Sequence, residues 1–247
     1  MTGERGLRIN KYLSERGLCS RREADAWIAA GRVTVNGSVA TLGTKVGSGD
    51  AVRLDDRPLG EPTRHVYIAF NKPVGIECTT DQRVAHNIVD FVAHHERIFP
   101  IGRLDKDSEG LILLTNDGDI VNLLLRAERR HEKEYLVTVD RPLTDDFLKA
   151  MAAGVEILET RTAPCRTERV SKNVFRIVLT QGLNRQIRRM CDVFRYTVRK
   201  LVRVRFVNVH LDKLEPGRWR NLTRAELAGL LPERFSTGRP AARRAVR

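Results

Sequence analysis

Gly102-Arg103-Leu104-Asp105-Lys106-Asp107-Ser108-Glu109-Gly110-Leu111-Ile112-Leu113-Leu114-Thr115-Asn116-Asp117-Gly118 runs a charged loop straight into an apolar segment. Leu111 to Leu114 predicts one strand and Ile98 to Ile101 predicts another, so the polar residues between them form a loop at the lip of a sheet. Asp105 stands in that loop directly after an arginine and a leucine. A carboxylate on a loop that rigid strands hold in place is a common way to present a reactive group. Taken alone, the same residues fit a solvated turn equally well.

Outward from this loop the chain alternates strands with short helices. Val66, Ile68 and Phe70 alternate into Asn71-Lys72-Pro73-Val74-Gly75, a strand that a proline turn ends. Ile88 to Phe91 and Asp119 to Arg126 read as helices. Tyr135, Val137 and Val139 mark one strand, and Phe175, Ile177 and Leu179 another. Ile187, Met190, Cys191 and Phe194 form the buried stripe of a helix, with Arg185, Arg188, Arg189 and Asp192 on the neighbouring face. Val202, Val204 and Phe206 alternate with Arg203 and Arg205, predicting a strand whose arginine face suits phosphate contacts or simply faces solvent. Thr223-Arg224-Ala225-Glu226 caps a last helix, Leu227 to Leu231.

The first sixty residues form a module of their own. Ile9, Tyr12 and Leu13 recur at helical spacing, and Gly17 ends that helix. Ser20-Arg21-Arg22-Glu23 is a capping box that opens a second helix, with Ala24, Trp27 and Ile28 inward. Val33-Thr34-Val35 and Val39 flank Asn36-Gly37, a dipeptide suited to a two-residue hairpin turn. Lys11, Arg21 and Arg22 lie outside the apolar stripes. The expected division is a module at 1–60, a linker at 61–64, a larger mixed domain at 65–232 and a disordered basic tail at 233–247.

A chain of 247 residues with 41% hydrophobic residues can bury a substantial core. Its formal charge of +13 draws polyanions through Coulomb steering and counterion release from phosphates. A membrane surface is also polyanionic, but no segment approaches the ~20 apolar residues a span requires. The first residues carry no apolar run of signal-peptide length, so cytoplasm is the expectation. Cys19, Cys78, Cys165 and Cys191 are scattered without a C-x-x-C pair, which argues against zinc and against a disulfide scaffold. Adjacent His94 and His95 cannot chelate as an i, i+4 pair would, and there is no phosphate-loop motif. No metal is expected.

Several of these stretches resemble, residue by residue, the bacterial synthases that convert uridine to pseudouridine in ribosomal RNA. Gly102 to Gly118 resembles their catalytic motif, and Asn71-Lys72-Pro73 their first motif. Lys133-Glu134-Tyr135-Leu136-Val137 resembles the segment that supplies an active-site tyrosine. Leu179 to Met190 resembles the third motif, which supplies an arginine partnering the catalytic aspartate. The front module resembles an S4 RNA-binding domain, so the resemblance runs from about residue 7 to 231. It implies an α+β protein, in which a small S4-like domain precedes a larger, mixed, mainly antiparallel β-sheet domain of pseudouridine synthase type.

The reaction breaks the N1–C1′ bond, turns the uracil and joins C5 to C1′. It is an isomerisation and calls for no cofactor. The resemblance assigns the carboxylate to Asp105, its guanidinium partner to Arg188 and a stacking ring to Tyr135. It places RNA contacts at Lys11, Arg21, Arg22, Lys72, Arg103, Asn184, Arg185 and Gln186. The implied partner is ribosomal RNA, the large subunit favoured and tRNA a second candidate, acted on by a monomer. Two other readings share the basic charge: a non-enzymatic RNA-binding or ribosome-assembly factor, and a DNA regulator using the first two helices as a helix-turn-helix. The second would leave the Asp105 loop without a task.

Overall fold

A computed structural model of the chain, described here for residues 6–61, 63–125 and 130–236, forms two compact units. The first comprises residues up to Val66 together with His94–Ile98 and Asn116–Gly118; the second holds the rest.

Chain order in the first unit is β1 (Leu7–Arg8), α1 (Ile9–Glu15), α2 (Arg21–Ala29), β2 (Val33–Val35), β3 (Ser38–Val39), β4 (Lys45–Val46), β5 (Val52–Leu54) and β6 (Arg57–Pro58). The Ser20 hydroxyl accepts from the Glu23 N–H at 3.1 Å and the Glu23 carboxylate accepts from the Ser20 N–H at 2.6 Å, so the capping box forms as read. Asn36 and Gly37 both take positive φ, 50° and 83°, as the β2–β3 hairpin requires. Ile9, Leu13, Ala24, Ile28, Val33, Val46 and Val52 make the core. Val39 is exposed on the hairpin.

The second unit runs β7 (Tyr67–Lys72), α3 (Ile88–Val92), β8 (Phe99–Ile101), β9 (Glu109–Thr115), α4 (Gly118–Leu125), β10 (Lys133–Val139), α5 (Asp145–Ala153), β11 (Glu156–Ile157), β12 (Thr160–Arg161), β13 (Arg166–Ser171), β14 (Val174–Leu179), α6 (Gln186–Val193), β15 (Val198–Phe206), β16 (Val209–His210), β17 (Trp219–Asn221), α7 (Arg224–Leu230) and α8 (Pro232–Phe235). One mixed sheet organises it, in the order β13-β14-β10-β15-β9-β7-β17, with β8 on β9 and β16 on β15. β15 runs parallel to β9, and the other neighbours are antiparallel. At the parallel junction Gly110 has φ +106°, and a Cβ there would run into the Arg203 backbone. Only glycine lets β9 approach β15 this closely.

β9 is buried from Gly110 to Thr115, which is why its sequence is a continuous apolar run instead of an alternation. Two cores flank the sheet. One gathers Val137, Phe175 and Ile177 with Phe147 and Met151 of α5 and Ile187, Met190 and Cys191 of α6. The other gathers Leu111, Leu113 and Phe206 with Ile120 and Leu124 of α4 and Leu230 of α7.

Two expectations change. The tail does not start at Glu233: α8 continues to Phe235, whose ring meets Tyr67 edge-on at 5.3 Å. Residues 237–247 lie outside the described residues. In β15 the arginine face is turned inward, because Arg203 is 4% exposed with its Nε donating to the Leu111 carbonyl at 2.6 Å. Arg205 is held by Glu134 at 2.7 Å and Glu132 at 3.0 Å, so neither arginine is presented for phosphate contacts.

Candidate active site

Asp105 sits between β8 and β9, and its backbone neighbours are pinned on both sides. The Leu104 N–H donates to Cys78 Sγ at 3.3 Å, and the Leu104 side chain is buried. The Lys106 carbonyl accepts from the Gly75 N–H at 2.8 Å, while the Ser108 N–H closes a turn on the Asp105 carbonyl at 3.1 Å. The proline turn after β7 is thereby clamped to the Asp105 loop.

Lys72 locks that clamp from inside. It is fully buried, and its Nζ donates to the carbonyls of Pro73 at 2.9 Å, Ile76 at 2.8 Å and Lys106 at 3.5 Å. Burial pulls its pKa below the usual lysine range, while Cys78, Asp107, Asp105 and Glu109 oppose that shift. The RNA-contact expectation for Lys72 is therefore corrected: an ammonium whose donors are spent on interior carbonyls has no face for a phosphate.

The third motif meets the same loop from the start of α6. Arg185 caps the helix in the left-handed region, φ 50°. Its two terminal nitrogens grip both carboxylate oxygens of Asp107, at 3.0 and 2.9 Å, and one of them stands 4.0 Å from Asp105 Oδ2. Arg188 also goes to Asp107, with Nε at 3.3 Å from Oδ2 and a terminal nitrogen donating to the Asp107 carbonyl at 2.8 Å. Arg188 thus makes its ion pair with Asp107 and not with Asp105, contrary to the expected pairing; the arginine beside Asp105 is Arg185. The hydrogen bond from Arg185 holds the Asp107 carboxyl below the usual carboxylate range, with Arg188 adding to it.

Gln186 is 5% exposed among the residues lining the cleft beside Asp105, and its Oε1 accepts from the Leu183 N–H at 3.0 Å, closing the loop before α6. Asn184 and Arg103 are exposed. Asn184 Oδ1 accepts from Arg189 at 3.2 Å.

Tyr135 lies on β10 between Ile177 of β14 and Arg203 of β15, half-buried. Two residues earlier on the same face, Lys133 is also half-buried; burial first, then repulsion from Arg203, lowers its pKa. These side chains meet at an open cleft of about 1330 Å³, where Asp105, Arg103, Tyr135, Lys133, Asn184 and Arg185 are among the lining residues. Of the expected catalytic set the cleft gathers Asp105 and Tyr135; Arg188 stands behind the Asp107 loop. Sequence reasoning passed over Asp107 and Lys133, whose only signals were their places two residues from Asp105 and Tyr135.

In the first unit Arg21 and Arg22 are exposed on α2, and Lys11 pairs with Glu15 at 3.3 Å. No helix among the described residues is long and apolar enough to cross a membrane.

A mixed sheet that brings Asp105 and Tyr135 to one cleft, preceded in the chain by a small helix-and-hairpin module, fits an RNA pseudouridine synthase, an isomerase, and comparison with known proteins makes that assignment. Residues 66–192 match the RNA pseudouridylate synthase family model and residues 7–52 the S4 domain, and the chain belongs to that family. It is 55% identical over 93% of its length to the dual-specificity RNA pseudouridine synthase RluF of Escherichia coli (strain K12), covering 80% of that protein. It is 34% identical to the ribosomal large subunit pseudouridine synthase B of Bacillus subtilis (strain 168), over 90% of this chain and 95% of that one. A crystal structure of a pseudouridylate synthase superposes with a TM-score of 0.67 at 27% identity, covering 91% of this chain and 99% of that chain. This membership favours an enzyme over the assembly-factor and DNA-regulator readings.

Proposed function

We propose that the enzyme isomerises a specific uridine in structured RNA, in large-subunit ribosomal RNA first and in a tRNA second, with Asp105 as the essential carboxylate. The observation that carries this reading is the mounting of Asp105, whose backbone is clamped through Leu104 and Lys106 and whose side chain is 32% exposed into the cleft. A group that must meet a ribose or uracil carbon needs such fixed placement, since a misplacement of about 1 Å can cost roughly a hundredfold in rate.

A uridine stacked in RNA cannot reach Asp105, so the base flips into the cleft, at a cost of roughly a few kcal/mol. Tyr135 offers a flat ring for the extruded uracil and a hydroxyl for proton relay. Arg103 and Asn184, exposed at the cleft, hold the flanking backbone, and Arg21 and Arg22 of the S4 domain hold further phosphates, whereas the terminal nitrogens of Arg185 are taken by Asp107. Binding at those phosphates offsets the unstacking. The large-subunit preference draws on the name of the Bacillus subtilis relative, and the second target on the dual specificity in the name of the Escherichia coli one.

Mapping pseudouridine in ribosomal and transfer RNA from cells with and without the protein tests the target. A single large-subunit site that vanishes on deletion and returns with the wild-type gene, but not with Asp105→Asn, is the expected result. Unchanged maps in both RNA classes would overturn it.

A further inference from the structure

Asp107 is a carboxylate that the proposed chemistry does not use, yet it carries the strongest ionic contacts at the site. Both of its oxygens are taken by Arg185, at 3.0 and 2.9 Å, and Arg188 adds a contact at 3.3 Å to the side chain and one at 2.8 Å to the backbone carbonyl. Asp105, two residues earlier, has one arginine nitrogen at 4.0 Å. Two arginines and two aspartates thus share one small space, and both arginines sit on the aspartate further from the reaction. Were Arg185 to close on Asp105 in the same bidentate way, the two carboxylate oxygens would be occupied and turned from an incoming nucleotide.

We propose that Asp107 is a positioning residue that moors Arg185 and Arg188, leaving Asp105 steered by a guanidinium but not capped by it. The mooring also ties the start of α6 to the Asp105 loop, where Arg188 donates to the Asp107 carbonyl at 2.8 Å, and to β15, where it donates to the Val198 carbonyl at 3.2 Å. The inference rests on the reading of Asp105 as the catalytic carboxylate.

Asp107→Asn keeps the size of the side chain but removes its charge and one acceptor oxygen, so Arg185 loses its fork partner and Asp105 becomes the carboxylate within its reach. Single-turnover pseudouridine formation on an unmodified large-subunit RNA transcript separates the effects. In Asp107→Asn the rate at saturating protein should fall roughly a hundredfold, while the protein concentration giving half that rate stays the same or drops. Asp107→Glu should restore most of the rate. Adding Arg185→Gln to Asp107→Asn should raise the rate above that of Asp107→Asn alone, because the capping group is gone. A purely structural Asp107 predicts the reverse, a further fall in the double variant, and that outcome would overturn the proposal. So would a wild-type rate in Asp107→Asn. If Asp107→Asn does not fold, Asp107→Ser takes its place in the same comparison. Asp105→Asn in the same assay keeps the two ideas apart: a dead Asp105→Asn beside a normal Asp107→Asn refutes the mooring alone, whereas a live Asp105→Asn refutes the reading beneath it.

Discussion

Single buried polar residues decide how rigid the site is. Lys72 serves three carbonyls from the interior, and replacing it with methionine would strip that donor from Pro73 and Ile76, while the Lys106 carbonyl keeps the Gly75 N–H. Lys72→Met should lower unfolding free energy by about 2–3 kcal/mol and leave RNA affinity within twofold, read by denaturant titration and filter binding. A large loss of affinity in a protein that stays folded would return Lys72 to the RNA surface. The loop around Asp105 was legible because glycines and an apolar run bracket it. Lys72 and Arg203 were misjudged for one physical reason: each is a cation whose buried role is set by backbone carbonyls that it meets only in the fold. The Arg203 partner, Leu111, is 92 residues away in sequence. Nothing in a local pattern marks such a side chain as interior.

Elements are shaped by close approaches and caps. Gly110 marks where β9 meets β15, so Gly110→Ala should cost on the order of 3 kcal/mol through strain and backbone clash; a melting temperature within a degree of wild type would contradict the packing. At the β17 edge of the sheet Thr223 caps α7, and the Glu226 carboxylate accepts from the Thr223 N–H at 2.8 Å and from Arg220 of β17 at 2.7 and 2.9 Å. The bond from Arg220, ahead of the Thr223 contacts, holds its pKa below the ordinary 4.5. A depressed carboxyl stabilises the fold fully above its unfolded pKa, and that stabilisation is lost as pH falls through the folded pKa. Glu226→Gln should therefore cost about 1–2 kcal/mol at pH 7, and the gap to wild type should narrow as pH drops below 4.5. A gap constant down to pH 3 would count against the ion pair. The α7 cap was readable from Thr223 and Glu226 alone. β13 was not, because its residues are exposed or half-buried along its length and show no apolar alternation.

At the scale of the whole molecule, affinity and chemistry are assigned to different parts of the chain. Arg21 and Arg22 lie on the S4 domain, whereas Asp105, Tyr135 and Arg185 line the cleft of the second unit. Arg21→Gln with Arg22→Gln should raise the protein concentration needed for half-maximal modification and reduce the log–log salt slope by up to about two, with the saturated rate kept. A changed saturated rate would place these arginines in the chemistry. The central claim rests on one carboxylate. Asp105→Asn preserves size and hydrogen-bonding shape and removes the carboxylate proposed to act on the nucleotide, so the decisive measurement is its single-turnover rate on RNA at saturating protein. The account predicts no pseudouridine with RNA binding intact; appreciable turnover under those conditions would contradict it.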